Sequence, residues 1–300
     1  MKARKWIGVG VGVALSVAAL QIPLTEAQVP PRPVPVKPDV PYVPTPESVV
    51  MAMLQLANVN RNDVVYDLGS GDGRLVITAA QKFGAKRGMG VEINPGLVNR
   101  SIENAKQAGV SDRVQFFQQD LFKTDFSQAS VVTLYLLPRI NLQLRPKLLS
   151  ELKPGSRVVS HAFGMGDWRP DRTETIDDAG RPRLTYLWII PANVGGTWSG
   201  TIASKSGASQ PYSVQVTQTF QNVRATVNVN GQTMSLPNVK LVGDRLTLEH
   251  SQKFNNQPIR VRVTAQAIGD TLQGTADIQT GSTTETYTIN AKRALATQGS

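Results

Sequence analysis

The chain has 300 residues, length enough for two average domains, with 40% hydrophobic and 18% charged side chains, a balance that excludes disorder along the whole of it. It has no cysteine and two histidines, His161 and His250, which excludes disulfides, thiolate zinc sites and a cysteine nucleophile and leaves too little for a histidine metal cluster. The net charge of +10 divides into +3 over residues 1–46, +3 over 47–193 and +4 over 194–300, a diffuse excess that marks no nucleic-acid footprint and argues against nucleic acid as a substrate.

The chain opens on targeting signals. Lys2, Arg4 and Lys5 precede an apolar run from Ile7 to Leu20, and Thr25-Glu26-Ala27 offers small residues for cleavage. Residues 1–27 thus read as a signal peptide, short for a membrane span, or, extended through Leu24, as an uncleaved signal anchor. Either reading tethers the rest to the membrane or exports it to the periplasm or the outer face of the cytoplasmic membrane; a cytoplasmic location is the alternative. Residues 30–46 hold eight prolines and predict an extended spacer, with a linker over 28–45. Thr45 reads as the N-cap and Pro46 as the first residue of a helix that runs to Ala57.

Strands and helices then alternate. Val64–Leu68, Gly88–Ile93, Val114–Gln118, Val131–Leu136 and Arg157–His161 read as strands, and Arg74–Phe83, Pro95–Ala108 and Asn141–Leu152 as helices. A late strand, Tyr186–Ile190, takes a partner near Arg172–Ile176. The alternation predicts an α/β domain over 46–193, built on a parallel sheet covered on both faces. Near Pro191 the pattern changes. Short alternating runs follow at Thr197–Ser204, Tyr212–Thr219, Val223–Val229, Lys240–Val242, Arg245–Ser251, Ile259–Ala267, Thr271–Ile278 and Glu285–Lys292, parted by turn signals such as Asn230-Gly231 and Gly269-Asp270. They predict a small all-β antiparallel barrel or sandwich over 194–300, joined to the first domain by a hinge or linker at 191–196.

The chemistry gathers where the first strand enters a glycine-rich turn, Asp67-Leu68-Gly69-Ser70-Gly71-Asp72-Gly73-Arg74. Gly69, Gly71 and Gly73 permit a tight turn and close approach of a ligand to backbone. A loop for a pyrophosphate offers bare N–H groups. Asp67 and Asp72 would repel one, and they suit a cationic ligand rich in hydroxyls and amines, such as S-adenosylmethionine (SAM). Glu92 ends the second strand, placed to hold ribose hydroxyls, and Asp120 follows the third, placed to accept from an adenine amino group. Acidic groups therefore end three successive strands at the carboxyl edge, where open α/β sheets bind ligands. Taken singly, each has a plainer reading: turn former for Asp67 or Asp72, solvated acid for Glu92, helix cap for Asp120.

The turn resembles motif I of the class I, seven-strand-type (Rossmann-like) SAM methyltransferases, and Val91-Glu92-Ile93-Asn94-Pro95 resembles their ribose-binding motif. More narrowly, Pro41-Tyr42-Val43-Pro44-Thr45, Glu92-Ile93-Asn94-Pro95 and Trp168-Arg169-Pro170-Asp171 resemble a family of membrane-associated protein-lysine N-methyltransferases known from mitochondria. The resemblance covers about Pro41 to Asp171. It implies SAM as cofactor, bound by Asp67, Gly69, Ser70, Gly71, Asp72, Gly73, Glu92, Ile93, Asp120 and Leu121. It also implies a protein acceptor, among which membrane proteins are to be counted. Enzymes that methylate nucleic-acid amino groups or glutamine resemble one another in an acid or amide followed by two prolines after the fourth strand; this chain has Tyr135-Leu136-Leu137-Pro138 there. Tyr135 and His161 lie near the right sheet edge for catalytic helpers, or else are a packing residue and a strand-end histidine. Tyr42 and Trp168 are read on the acceptor side, with Trp168 equally able to plug the sheet. Trp198 resembles the tryptophan that closes one end of lipocalin-like barrels. A SAM-dependent methyltransferase acting on lysine is the leading expectation; the others are a small-molecule or lipid-like acceptor, and a non-catalytic envelope binding protein.

Overall fold

A computed structural model describes residues 41–204, 207, 209–254 and 257–294. The signal segment and most of the proline-rich spacer lie outside the described residues. The first sheet domain runs α1 (Glu47–Leu56), β1 (Val64–Leu68), α2 (Arg74–Lys82), β2 (Arg87–Glu92), α3 (Pro95–Gln107), β3 (Val114–Gln118), β4 (Val131–Leu134), α4 (Pro138–Glu151), β5 (Arg157–His161), β6 (Arg172–Asp178) and β7 (Arg181–Ile189). The sheet order is β3-β2-β1-β4-β5-β7-β6. The first five strands are parallel, and β7 runs antiparallel between β5 and β6. The chain leaves β1 toward one edge and returns to lay β4 against its other side, so a topological switch point opens between them.

Side-chain alternation assigns the two faces. Val65, Val131 and Val159 point to α1 and α2, where they pack with Val50, Met53, Leu54 and Val76. Leu68, Val132, Leu134 and Val158 point to α4, whose Ile140, Leu144 and Leu148 recur every four residues on one side. Central strands buried on both faces therefore read as unbroken apolar runs.

Two helix starts differ from the sequence expectation. Helix α4 begins at Pro138 rather than Asn141, with the proline at the first turn and Leu137 as an extended N-cap; proline lacks only an N–H that is unused there. Helix α1 begins at Glu47, with Pro46 extended as its N-cap (φ −57°, ψ 149°) and no side-chain cap. Thr45 is therefore not the cap. It is buried, and its hydroxyl lies 3.3 Å from Nδ1 of His161.

The remaining strands are β8 (Gly196–Ser204), β9 (Ser209–Thr219), β10 (Asn222–Val229), β11 (Gln232–Leu236), β12 (Lys240–Val242), β13 (Arg245–Phe254), β14 (Gln257–Ile268), β15 (Thr271–Thr280) and β16 (Thr283–Arg293). Each antiparallel neighbour follows the last in sequence, and β16 returns to pair with β8. Strands β11 and β12 both pair with β10 and form one interrupted stave. The result is a closed eight-stave antiparallel barrel rather than a sandwich. The ring closes through β12, and β11 is paired on one side only, with β10. Strand β11 escapes the sequence reading because its alternating Met234 and Leu236 are cut short by Pro237.

The expected hinge at 191–196 is a sealed junction instead. Ala192 and Val194 are buried. The Gln218 amide donates to Ala192 O (2.9 Å) and its oxygen accepts from Val194 N (2.7 Å). Ala192 N donates to Gly243 O (2.8 Å), and Trp198 Nε1 donates to Val194 O (2.8 Å). Arg293, at the end of β16, lays its guanidinium 4.3 Å from the Trp198 ring centroid and donates to Asn193 O (2.6 Å) and Gly195 O. A backbone with this many hydrogen-bond partners does not swing freely.

Packing of α4 against the sheet sets a stability expectation. Leu148→Ala should cost about 2–5 kcal/mol, because it opens a cavity in the larger core cluster. Gln143→Ala, on the exposed side of the same helix, should stay within about 0.5 kcal/mol. Urea unfolding of both variants checks this; equal costs would mean that α4 is misoriented.

Candidate active site

A cavity of about 520 Å³ opens at the carboxyl ends of β1, β2, β3 and β4, at the switch point where the topology places a ligand. The turn after β1 forms its floor. Gly69, Gly71 and Gly73 all have left-handed φ, at +81°, +56° and +81°. At Gly71 a Cβ would come within 2.5 Å of the Tyr42 ring, so glycine there lets Tyr42 close down over the turn. Gly69 and Ser70 donate their N–H groups to Val91 O (2.8 and 2.9 Å), which ties the turn to β2. These amides are already used, as expected of a loop that does not cradle a phosphate.

Four carboxyl groups line the cavity: Asp67, Asp72, Glu92 and Asp120. Asp67 ends the central strand and is 3% exposed. It accepts a 2.7 Å hydrogen bond from Thr133 Oγ1, across the seam between β1 and β4. Burial pushes its carboxyl up to about 7 against the lowering bond from Thr133, with Glu92 and Asp72 adding to the rise. Glu92 is fixed at both oxygens, accepting from Gly71 N (3.0 Å) and Asn94 N (2.9 Å). Each oxygen keeps a further lone pair. Asp120 accepts from Phe122 N (2.9 Å), an Asx turn that aims the carboxylate and sets Leu121 and Phe122 on the cavity wall. Asp72, at the rim, is turned toward Arg74, which reaches it through Nε (2.9 Å) and Nη2 (2.6 Å) and also donates to Thr45 O (2.8 Å). Burial would raise its carboxyl, and the Arg74 bonds and charge overcome this and hold it below the usual range.

The residues present fit SAM. Carboxyl groups near the ends of three successive strands favour a cationic ligand over a phosphate. The glycines give close approach, and Leu75, Leu97, Leu121, Leu136 and Ile140 supply apolar surface for a ring. Among the described residues no group of three potential metal ligands gathers, and no helix is long and apolar enough to cross a membrane.

Of the residues singled out in the sequence, Tyr42, Asp67, Gly69, Ser70, Gly71, Asp72, Glu92, Ile93, Asp120, Leu121 and Tyr135 line this cavity. Gly73 sits behind it as the left-handed N-cap of α2. His161 is buried one layer further in, its ring centroid 4.0 Å from that of Tyr135. Burial, helped by Arg183 and opposed by Asp178, brings its imidazole down to about 4, and Nε2 has no hydrogen-bond partner. Trp168 is not on the cavity. It is fully buried, its ring stacked on Phe220 of the barrel at 5.6 Å and its indole N–H bonded to Gln221, so of its two readings the structure gives the plug. Sequence reasoning missed Thr133, Leu136, Phe122 and Thr45. Thr133 alone left a trace, as the one polar residue in the Val131–Leu134 run.

Comparison with known proteins agrees with the geometry. A family model described as the ANTKMT methyltransferase domain matches residues 67–172. A protein-lysine N-methyltransferase of Saccharolobus islandicus is 46% identical over 153 residues, which are 51% of this chain and 95% of that one. This chain belongs to the ANTKMT methyltransferase family. Its cofactor is SAM. The adenine nucleotide translocase lysine N-methyltransferase of Mus musculus is 39% identical over 139 residues, 46% of this chain and 60% of the relative. A solved RNA methyltransferase of Salinibacter ruber in complex with S-adenosyl-L-homocysteine is 56% identical, covering 51% of this chain and 96% of that one, at a TM-score of 0.48. The barrel of this family member lies outside the residues the family model matches.

Two buried groups predict opposite pH effects on the ligand-free enzyme. Asp67, raised, binds its proton more tightly when folded, so its contribution is full below about pH 4 and is lost as pH rises through about 7. His161, depressed, binds its proton less tightly when folded, so its contribution is full above about pH 6.5 and is lost as pH falls toward about 4. Between pH 5 and 6.5 the stability of Asp67→Asn should therefore climb with pH more steeply than wild type, and that of His161→Gln less steeply. Denaturant midpoints across that window check it; parallel profiles for all three proteins would refute both assignments.

Proposed function

We propose that this enzyme N-methylates lysine side chains of a protein acceptor. The observation that carries the reading is the wall of the cavity after β4: Tyr135, Leu136 and Ile140, with no acid or amide among them. A planar amide or base nitrogen needs a polar group to activate it. A lysine amine needs only to lose its proton, be desolvated and be aimed. An apolar wall depresses the pKa of an amine placed against it and so favours the neutral nucleophile, and it accepts the alkyl stem. The names of the archaeal and mouse relatives, both lysine N-methyltransferases, support the same acceptor class. Family membership does not favour a non-catalytic binding protein, and no feature of the wall calls for a small-molecule or lipid-like acceptor.

In this reading SAM, when bound, supplies a methyl group on a positively charged sulfur. Glu92 holds the ribose hydroxyls, with its carboxylate pre-aimed by Gly71 and Asn94. Asp120 accepts from the adenine amino group, between Ile93 and Leu121. Asp67 faces the cationic end, and Gly69, Ser70 and Gly71 allow close approach. Tyr42 covers the entrance from the turn side, where it is 41% exposed, and Tyr135 directs the incoming nitrogen. His161, neutral and buried, supports Tyr135 from behind.

Glu92→Ala should weaken SAM binding by about 1–3 kcal/mol, the cost of losing a buried hydroxyl contact. Calorimetry on the full chain reads it, and an unchanged affinity removes the ribose assignment. The acceptor is tested with methyl-tritiated SAM and a membrane extract, the labelled product being hydrolysed to amino acids. Label in methyl-lysine is the expected result; label in lipid or a small molecule overturns the lysine reading.

We further propose, from Lys2, Arg4, Lys5 and the apolar run after them, that the enzyme is exported or membrane-tethered. A membrane protein would then be a natural acceptor, within reach of a domain held on a proline spacer. A reporter active only outside the cytoplasm, fused to Ser300, should be active. A silent but intact fusion in the cytosolic fraction would place the enzyme inside.

A further inference from the structure

The barrel touches the catalytic domain at one notable point. Strands β9 and β10 are joined by a tight turn at Phe220-Gln221, with Phe220 in the left-handed region (φ 54°). The Phe220 ring stacks on Trp168 (5.6 Å, 21°), and the Arg145 guanidinium of α4 lies 5.2 Å from its centroid. Gln221 uses both ends of its amide. Its oxygen accepts from Trp168 Nε1 (2.9 Å), and its nitrogen donates to Arg169 O (2.8 Å). Arg145 in turn donates to Met165 O (2.8 Å) and pairs with Asp167. One hairpin thus grips the far end of the segment that follows β5.

The near end of that segment belongs to the cavity wall. Phe163 stacks on Tyr135 (6.1 Å, 16°), and Tyr135 lines the cavity. The Phe163 carbonyl accepts from Ser160 Oγ (2.7 Å) and Asn141 Nδ2 (3.2 Å). Beside the near grip Ala162 is held at φ 64°, in the left-handed region that residues other than glycine seldom adopt. A non-glycine residue in that region persists only where its surroundings over-determine it. Eight residues pinned at both ends meet that condition; pinned at one end they do not.

We propose that Phe220 and Gln221 are positioning residues for methyl transfer: through Trp168 and the 162–169 segment they fix Phe163 on Tyr135, and so set the acceptor side of the cavity without touching the cofactor side. This rests on the reading of the Tyr135 wall as the acceptor side. The turn at Gly69–Gly73, Glu92 and Asp120 have no described contact with the hairpin, so cofactor binding is left out of its reach. The barrel is then part of the catalytic apparatus rather than an appended module.

The test uses the full chain and three readouts: SAM affinity by calorimetry, amide hydrogen exchange of residues 162–169, and the rate of tritium transfer from labelled SAM into protein of a membrane extract at saturating SAM. Phe220→Ala and Gln221→Ala should speed exchange in 162–169 at least tenfold and slow transfer at least tenfold, with SAM affinity within twofold of wild type. Phe220→Trp should restore both. Gln221→Ala removes two hydrogen bonds and no packing, so it keeps the test open if Phe220→Ala does not fold. Faster exchange with unchanged transfer, or a loss of SAM affinity equal to the loss of rate, overturns the proposal and makes the hairpin mere glue. Wild-type transfer into something other than lysine removes the lysine reading and leaves the hairpin's role measurable on that product. No wild-type transfer into any acceptor removes both.

Discussion

The structure is organised around a carboxyl group that has been taken out of water. Asp67 ends the central strand, and one hydroxyl from the neighbouring strand β4 is its described partner. Such a group is costly to leave charged and alone, so its surroundings are constrained in turn. Strand β4 must bring a threonine to that register. The Gly69–Gly73 turn must leave without a side chain in the way. The nearby acids must be occupied elsewhere, and they are: Glu92 by two backbone amides, Asp72 by Arg74. What remains is a cavity whose negative potential is held in reserve at one point. A cationic, hydroxyl-rich cofactor satisfies that demand, and a phosphate does not.

Much of this was legible in the amino-acid sequence because it follows from local rules. The glycine spacing, the acid near the end of each of three strands and the alternation of periods are short-range signals, and they picked out residues that line the cavity. The acceptor side was less legible. Trp168 looked able to wall a site, and only the packing of Phe220 and Gln221, more than fifty positions later, decides its place. Thr45 looked like a helix cap, and its partner is His161, across the domain. Both outcomes turn on contacts between residues far apart in the chain, which no local pattern encodes. The junction at 191–196 misled for a related reason. Pro191, Gly195 and Gly196 have a linker's composition, but hydrogen bonds from Gln218 and Arg293 hold its backbone.

The archaeal relative, covered almost end to end by 153 residues, has no room for a second domain of this size. The fold of its matched region therefore stands without a barrel. In this chain the two are also tied by side chains: the indole N–H of Trp168 finds its acceptor, Gln221, on the barrel, as a buried tryptophan N–H usually finds a partner.

The path of the barrel strands has a further consequence for how the protein comes into being. The first stave, β8, waits for the last, β16, and Arg293 at its end also seals the junction between the domains. During synthesis from the N-terminus, neither the ring nor the seam can be finished until Arg293 has emerged. Until then β8 and β15 are open edges, with unpaired backbone ready to join another chain. A chain that stops before β16 therefore keeps both edges open, and for the barrel such a truncation is as consequential as one several strands earlier.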